Sequence, residues 1–483
     1  MFGTRISVNV IAFVSSIILA RLLTPTDFGL VGIALAVQSL IAGLLALSPA
    51  EALIRLPRFG RTHLNTSFTF QVLRGLILCA VMAALAVPIA YFYEDKRLAA
   101  ILLVMGVTTI VGSCRNPALV IYLKRMKFWQ EFLVQVPAKA ASIVVAVAIA
   151  YLTGSYWALV IGTLAATATS VAASYLALPY LPAFTLRRFA VIWNFTKSLS
   201  IAEIVNTLNW RFDHFDIPAY LVPAMLGRYT MGAQLASLPV YELLRPLSQT
   251  LYPAFSGVKD LTRLREMFLK AEGSAFLLSF PASVGFALVA EPVVILMLGE
   301  EWRAAALVIQ FAAPIFAIQS LDGPARAVAK ALNRPEAVMN VALLNFAVRV
   351  PSVFIGIHFF GFIGVLAARC ISGPFNAFQM LQIVRRELGL SFTQQFGTLA
   401  RPAFATALMA VAVLALQHRL AEEGAGDILM LAASVACGIT VFIPTLLLLW
   451  GLRGWCDGAE RMILDTAKTA ITPLRSQSYP RSS

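Results

Sequence analysis

The side chains in this sequence that could do chemistry are charged groups inside long apolar runs: Arg21, Arg74, Arg115, Lys139, Glu203, Arg211, Asp213, Asp216, Arg228, Glu242, Arg245, Arg349 and Arg369. A charge at mid-bilayer costs roughly 2.5–3.5 kcal/mol on insertion scales, so such a residue normally faces a partner or a water-filled cavity. Cations dominate this set, and that excess suits an anion held inside the membrane. Arginine matches a phosphate or pyrophosphate well, because its planar fork donates two parallel hydrogen bonds. Arg74, Arg115, Arg349 and Arg369 lie deepest and are the candidates for lining a cavity. Arg21, Arg211, Arg228, Arg245 and Lys139 have a plainer reading: they snorkel to the head groups from span ends. Glu203, Asp213 and Asp216 are candidates for ion coupling or for pairing with those arginines.

No catalytic pattern competes with this reading. The sequence has no G-x-x-x-x-G-K-[ST] phosphate loop, no H-E-x-x-H and no G-x-S-x-G. His63, His214, His358 and His418 are far apart, and the cysteines (Cys79, Cys114, Cys370, Cys437, Cys456) show neither metal-ligand nor disulfide-framework spacing. No cofactor and no metal is called for, and the reading is a membrane transporter rather than an enzyme. Arg115-Asn116-Pro117 interrupts an apolar run. Proline there frees a backbone carbonyl, which gives either a simple kink or the broken helix of a transport pathway.

The elements that must position these residues are membrane helices. Hydrophobic types make up 59% of the 483 residues and charged types 13%, against about 25% charged in a soluble domain. A spanning helix needs about 20 apolar residues. Runs such as Ala141–Tyr151 are apolar on every face, which excludes the two-residue alternation of a membrane β-barrel. The chain reads as all-α integral membrane, with about fourteen spans near 6–23, 29–48, 67–92, 98–122, 131–152, 156–178, 193–216, 226–252, 268–290, 303–325, 337–357, 361–384, 400–418 and 428–452. No cleavable signal peptide precedes them. The net charge of +14 would suggest nucleic acid in a soluble protein; here it marks topology. Arg55, Arg58 and Arg61, then Lys124, Arg125 and Lys127, then Arg187 and Arg188 fall in alternate loops, as do Lys259, Arg263 and Arg265, Lys330 and Arg334, and Arg385 and Arg386. The loops between them are neutral or acidic, as at Glu300-Glu301. The positive-inside rule then places both termini in the cytoplasm.

An internal repeat accompanies this pattern. Leu22-Leu-Thr-Pro25-Thr-Asp-Phe-Gly29 aligns with Tyr220-Leu-Val-Pro223-Ala-Met-Leu-Gly227, and Gly154 with Gly361, in each case between an odd span and the next even one. The expected organisation is two six-helix lobes, 1–190 and 191–395, two additional helices over 396–455, and a cytoplasmic tail over 456–483. Repeats of this kind are typical of transporters with a substrate site at the repeat interface.

The segment Leu19-Ala-Arg-Leu-Leu-Thr-Pro-Thr-Asp-Phe-Gly-Leu30 resembles the opening of the bacterial polysaccharide transporters, the oligosaccharide flippases of the multidrug/oligosaccharidyl-lipid/polysaccharide export superfamily. Glu51-Ala-Leu-Ile-Arg55, Trp157-Ala-Leu159, Leu226-Gly-Arg-Tyr229, Tyr252-Pro-Ala-Phe-Ser256 and Leu298-Gly-Glu-Glu-Trp302 follow in the same order as in that family. The chain begins at Met1-Phe-Gly-Thr-Arg, where members usually have further residues leading into the first span. The resemblance implies fourteen helices in two lobes around a cationic cavity in the bacterial inner membrane. It implies alternating access that moves an undecaprenyl-pyrophosphate-linked oligosaccharide for exopolysaccharide, O-antigen or capsule synthesis. Glycan polymerases or glycosyltransferases are the expected partners. Arg21, inside the matched motif, is the first residue carried over as a substrate-binding candidate. Two rivals remain: a cation-coupled multidrug exporter of the same superfamily, which would want an acidic cavity, and a membrane glycan polymerase or ligase, which would want a large external loop.

Overall fold

The computed structural model describes residues 15–44, 53, 60–124, 129–190, 217, 220–258, 260–332, 334–452, 454 and 458–462. A helical stretch over 15–22 leads into α1 (Pro25–Leu44). Then come α2 (Arg61–Phe92), α3 (Arg97–Ser113), a 3-10 turn (Pro117–Leu119), α4 (Val120–Lys124), α5 (Trp129–Thr153) and α6 (Trp157–Ala177). The remainder is α7 (Pro223–Ser256), α8 (Leu261–Leu288), α9 (Ala290–Met297), α10 (Arg303–Gln319), α11 (Asp322–Ala331), α12 (Pro335–Leu388), α13 (Phe392–Glu422) and α14 (Asp427–Leu452). Among the described residues there is no strand, and nine helical segments are long and apolar enough to cross a membrane. The expected span over 193–216 lies outside the described residues.

The chain divides into two compact units. One comprises Met1–Met231, Met297–Trp302 and Phe346–Val365; the other Gly232–Leu296, Arg303–Asn345 and Leu366–Ser483. In the first unit, helices approach closely where side chains are small, the packing mode that serves when lipid supplies no hydrophobic drive. Gly162 of α6 lies on Ala146 and the Ser142 carbonyl of α5, Gly75 of α2 on Ser113 of α3, and Gly106 of α3 on Cys79 of α2. In the second unit, Phe255, Phe268, Ala325, Val328, Met380 and Val384 form one buried apolar cluster, and Phe276, Leu321, Leu381 and Leu399 another. Gln417 of α13 donates to the Leu288 carbonyl at the end of α8 (3.0 Å) and to the Ser434 hydroxyl of α14 (3.2 Å). Large apolar side chains such as Val87, Leu176, Ile363 and Leu448 are exposed, the surface expected of helices bathed in lipid.

Two glycines set the sharp joints. Gly154 follows the last residue of α5 and Gly361 interrupts α12, so the 54-residue α12 is two successive helices. Both have φ of +57°, a left-handed conformation that L side chains rarely adopt. These are the positions that align in the sequence repeat. Across the Gly361 joint the two halves of α12 meet backbone to backbone at Gly356 and Gly364.

The break at Arg115-Asn116-Pro117 divides the expected fourth span into α3, the 3-10 turn and α4. Its freed polar groups are satisfied from α6. The Asn116 side chain donates to the carbonyls of Ser174 (3.2 Å) and Leu178 (2.6 Å) and accepts from Ala118 N (2.9 Å). Its backbone N–H donates to the Ser174 hydroxyl, and the Tyr175 hydroxyl donates to the Cys114 carbonyl (2.9 Å). Losing such a buried partner costs about 1–3 kcal/mol. Asn116→Ala is therefore expected to lower the melting temperature of the detergent-purified protein; an unchanged temperature would show that the break is held some other way.

Candidate functional site

The structure places each arginine singled out in the sequence. Arg21 is exposed at the end of the 15–22 helix, where its Nε donates to the Met297 carbonyl (2.8 Å). Arg74 sits two-fifths of the way along α2 and donates from Nη2 to the Ala42 carbonyl of α1 (3.0 Å). Arg115 stands at the helix break and is half-buried. Arg349, in the first half of α12, is only 8% exposed. These four belong to the first unit. Arg369, in the second, lays its guanidinium over the Phe316 ring at 5.2 Å, a cation–π contact. Lys139 is half-buried in α5 and Glu242 exposed on α7. Glu203, Arg211, Asp213 and Asp216 lie outside the described residues, as does the Arg245 side chain.

The first unit also joins three of the sequence motifs into one knot, built from the chemistry of a helix start. Thr24 caps α1 and Asp27 caps back: the Asp27 carboxylate accepts from Thr24 N (3.0 Å) and the Thr24 hydroxyl (2.7 Å). Asp27 N donates to the Thr24 hydroxyl (3.3 Å). Pro25 occupies the first helical position, where no N–H is needed. The next two residues make the long-range contacts. Phe28 meets the Trp302 ring edge-on at 5.1 Å, and the Trp302 indole N–H donates to the Ala20 carbonyl (3.0 Å). Gly29 lies against the Pro223 carbonyl at the start of α7, so a Cβ there would collide with backbone. Reciprocally, Gly227 lies against the Pro25 carbonyl. Arg228 closes the knot by donating from Nε to the Glu301 carbonyl (3.0 Å). The aligned positions of the repeat thus contact each other as a pair: Pro25 with Gly227, Gly29 with Pro223.

The second unit holds buried polar groups that the sequence reading passed over. Asp322 accepts from the Asn376 amide and faces Arg326 one turn on, at 3.5 Å. The Ser279 and Ser320 hydroxyls meet at 3.0 Å, and the Asn345 amide donates to the Ser372 carbonyl (3.0 Å). Arg401 pairs with Glu460 at 3.2 Å, and Glu272 is wholly buried. Glu272 and Asp322 lie within five residues of expected span ends, beside charged loops, where hydropathy assigns charges to the head groups. A signal was present on α8: Arg265, Glu272 and Ser279 recur every seven residues, hence on one helix face. Among the described residues, no group of three or more His, Cys, Asp or Glu is arranged to hold a metal ion.

The knot tolerates no side chain at its crossing. Gly227→Val is expected to abolish the monodisperse folded peak in size-exclusion chromatography. Gly60→Val, at a helix start with open space around it, should leave the peak intact. Equal behaviour of the two variants would contradict the packing described.

A family profile described as a polysaccharide biosynthesis protein matches residues 18–307. The chain is 24% identical over 405 residues to the lipopolysaccharide biosynthesis protein WzxC of Escherichia coli (strain K12), which covers 81% of each chain. It is 22% identical over 439 residues to the succinoglycan biosynthesis transport protein ExoT of Rhizobium meliloti (strain 1021), covering 90% of this chain and 89% of that one. Among solved structures it resembles the lipid II flippase MurJ in an inward closed conformation, with a TM-score of 0.74 and 14% identity, covering 92% of this chain and 99% of that one. An inward-facing MATE family transporter of the MOP superfamily matches with a TM-score of 0.62 and 15% identity, over 79% of this chain and 94% of that one. The fold is therefore that of these multi-pass membrane transporters, and the profile spans more than half of the sequence. The protein belongs to the polysaccharide biosynthesis protein family.

Proposed function

We propose that this protein is a flippase that carries an undecaprenyl-pyrophosphate-linked oligosaccharide from the cytoplasmic to the periplasmic leaflet of the bacterial inner membrane, for exopolysaccharide, O-antigen or capsule synthesis. One observation carries the reading: guanidiniums on membrane-length apolar helices, at Arg74, Arg349 and Arg369, with Arg115 at a helix break, in a chain of a polysaccharide biosynthesis family. Arginine in such places matches the pyrophosphate that a lipid-linked glycan must take through hydrocarbon. Polar groups beside them accommodate the sugars. Relatives named for lipopolysaccharide biosynthesis and for succinoglycan biosynthesis transport support it.

The same reading takes fourteen spans with both termini in the cytoplasm. Contacts between helix ends support it by joining like with like. Arg21, Trp302, Pro223 and Arg228 fall in or beside loops that the charge pattern puts outside. Arg334 pairs with Glu387, and the Tyr180 hydroxyl bonds Asn65, between loops that it puts inside. On this topology the Gly29–Gly227 crossing closes the periplasmic side, and the starts of α1 and α7 must part for release. Alternating access between two lobes, 1–190 and 191–395, with helices over 396–455 added, is the scheme we adopt. Within it Arg21 braces the outer ends of helices, and Glu203, Asp213 and Asp216 remain the coupling candidates named from the sequence.

Replacing Arg74, Arg115, Arg349 or Arg369 by Ala is expected to reduce surface glycan in a flippase-deficient host while membrane insertion is retained. If all four variants export normally, the cationic-cavity account fails. A multidrug exporter, the reading that the MATE fold would also serve, predicts resistance to cationic dyes with no change in surface glycan. A polymerase or ligase predicts glycosyl transfer by the purified protein.

A further inference from the structure

Glu272 is fully buried in α8, and no described group lies within hydrogen-bonding reach of either carboxylate oxygen. An ionised carboxylate sealed from water and without a donor costs far more than a neutral carboxyl. The other buried acids of the second unit differ in kind. Asp322 of α11 is bonded to Asn376 and faces Arg326, and Glu460 is paired with Arg401 of α13.

Two buried serines share the helix face of Glu272. Ser279 and Ser283 follow it on the same face of α8, with Phe276 between them packed on Leu321, Leu381 and Leu399. Ser279 shares a hydrogen bond with Ser320, and the Ser283 hydroxyl is buried without a partner. Two turns before Glu272, Arg265 donates to the Leu388 carbonyl at the end of α12. Gly273, next in sequence, lies against Ala459 and Thr398, which brings α13 and the 458–462 segment to this level. Most charged groups on the packed elements have partners of their own, while Lys330 stands in the last turn of α11 and Arg461 is exposed. Asp322 and Arg326 on α11 engage each other, as do Arg401 and Glu460. Arg369 and Arg385 on α12 lie over Phe316 and Phe392. Arg303 at the start of α10 pairs with Glu291, and Asp427 of α14 is in its first turn. On α8 itself, Lys270 and Glu266 flank the site in sequence.

We propose that Glu272 is a proton-binding site that couples glycan export to inward proton movement, a proposal that rests on the flippase reading above. A metal cation is the weaker ligand here, because it needs several ligands around it and, among the described residues, no group of three His, Cys, Asp or Glu is gathered to hold one. In the present state the carboxyl keeps its proton. When water reaches it from the cytoplasmic side, the O–H bond breaks, the proton passes to that water, and the carboxylate remains. Reopening toward the periplasm lets the carboxylate take a proton from water there.

The test pairs spectroscopy with export. Infrared difference spectra of the purified full-length protein over a pH titration should show the carbonyl stretch of a protonated carboxylic acid, and E272Q should lack it. In a flippase-deficient host, E272Q, which keeps the shape of the neutral acid, should fold normally and export at least about tenfold less glycan, equivalent to about 1.4 kcal/mol. E272D should recover part of the activity, and a protonophore should stop export by the wild-type protein. An identical infrared band in wild type and E272Q overturns the proposal, as does wild-type export by E272Q. Export that ignores the protonophore overturns it without reference to any variant. A wild-type protein that shows the band yet restores no glycan would instead overturn the flippase reading and leave the proton site standing.

Discussion

Hydrocarbon offers no hydrogen bonds, so each polar group that this chain carries out of water must be met by another part of the chain. That constraint orders the structure. Where proline and asparagine break a helix at 115–117, the Asn116 side chain and the Tyr175 hydroxyl take up the loose backbone groups. Where helices end, side chains cap foreign carbonyls: Trp302 on Ala20, Arg228 on Glu301, Gln417 on Leu288. Arginines inside spans follow the same rule: Arg74 donates to the Ala42 carbonyl and Arg369 lies over the Phe316 ring.

The residues through which the sequence resembles its family turn out to share one place. Thr24, Pro25 and Asp27 build a helix start; Phe28 and Gly29 use that start to seat Trp302 and the beginning of α7. A motif that reads in sequence as punctuation is thus a joint between three distant segments. Glycine is required on both sides because two backbones touch there, and the reciprocity of the contact reflects the repeat that relates Pro25-to-Gly29 to Pro223-to-Gly227. A transporter that alternates between states needs a contact of this kind: tight, made of backbone and small residues, and able to separate without leaving a charge stranded.

Hydropathy alone located most helices to within a few residues, because a run of about 20 apolar side chains has no other soluble or membrane solution. The expected 131–152, 156–178 and 428–452 correspond to α5, α6 and α14, and the break within 98–122 was legible in Pro117. Other bounds moved for physical reasons. Spans expected at 268–290 and 400–418 extend to Leu261 and Phe392, since amphipathic turns beyond the lipid continue as helix where Asp260 and Ser391 cap them. Two expected spans merge into α12 because Gly361 turns the chain without a loop. Side-chain environment was the least legible feature. Arg21 holds the Met297 carbonyl, a distant partner that its motif does not announce. Glu272 looks from its position like a head-group anchor, yet it is fully buried. Burial depends on which faces of which helices meet, and a hydropathy window averages over faces.

On the proposed function, recognition of a lipid-bound glycan falls to membrane arginines that meet its charged linkage. It is tested most directly by transbilayer movement of a fluorescent oligosaccharide lipid in proteoliposomes of the purified protein, with the sugar joined to the prenol through pyrophosphate or through an uncharged glycosidic bond. The account predicts rapid movement of the pyrophosphate form and little of the uncharged one. Equal movement of both forms would contradict it.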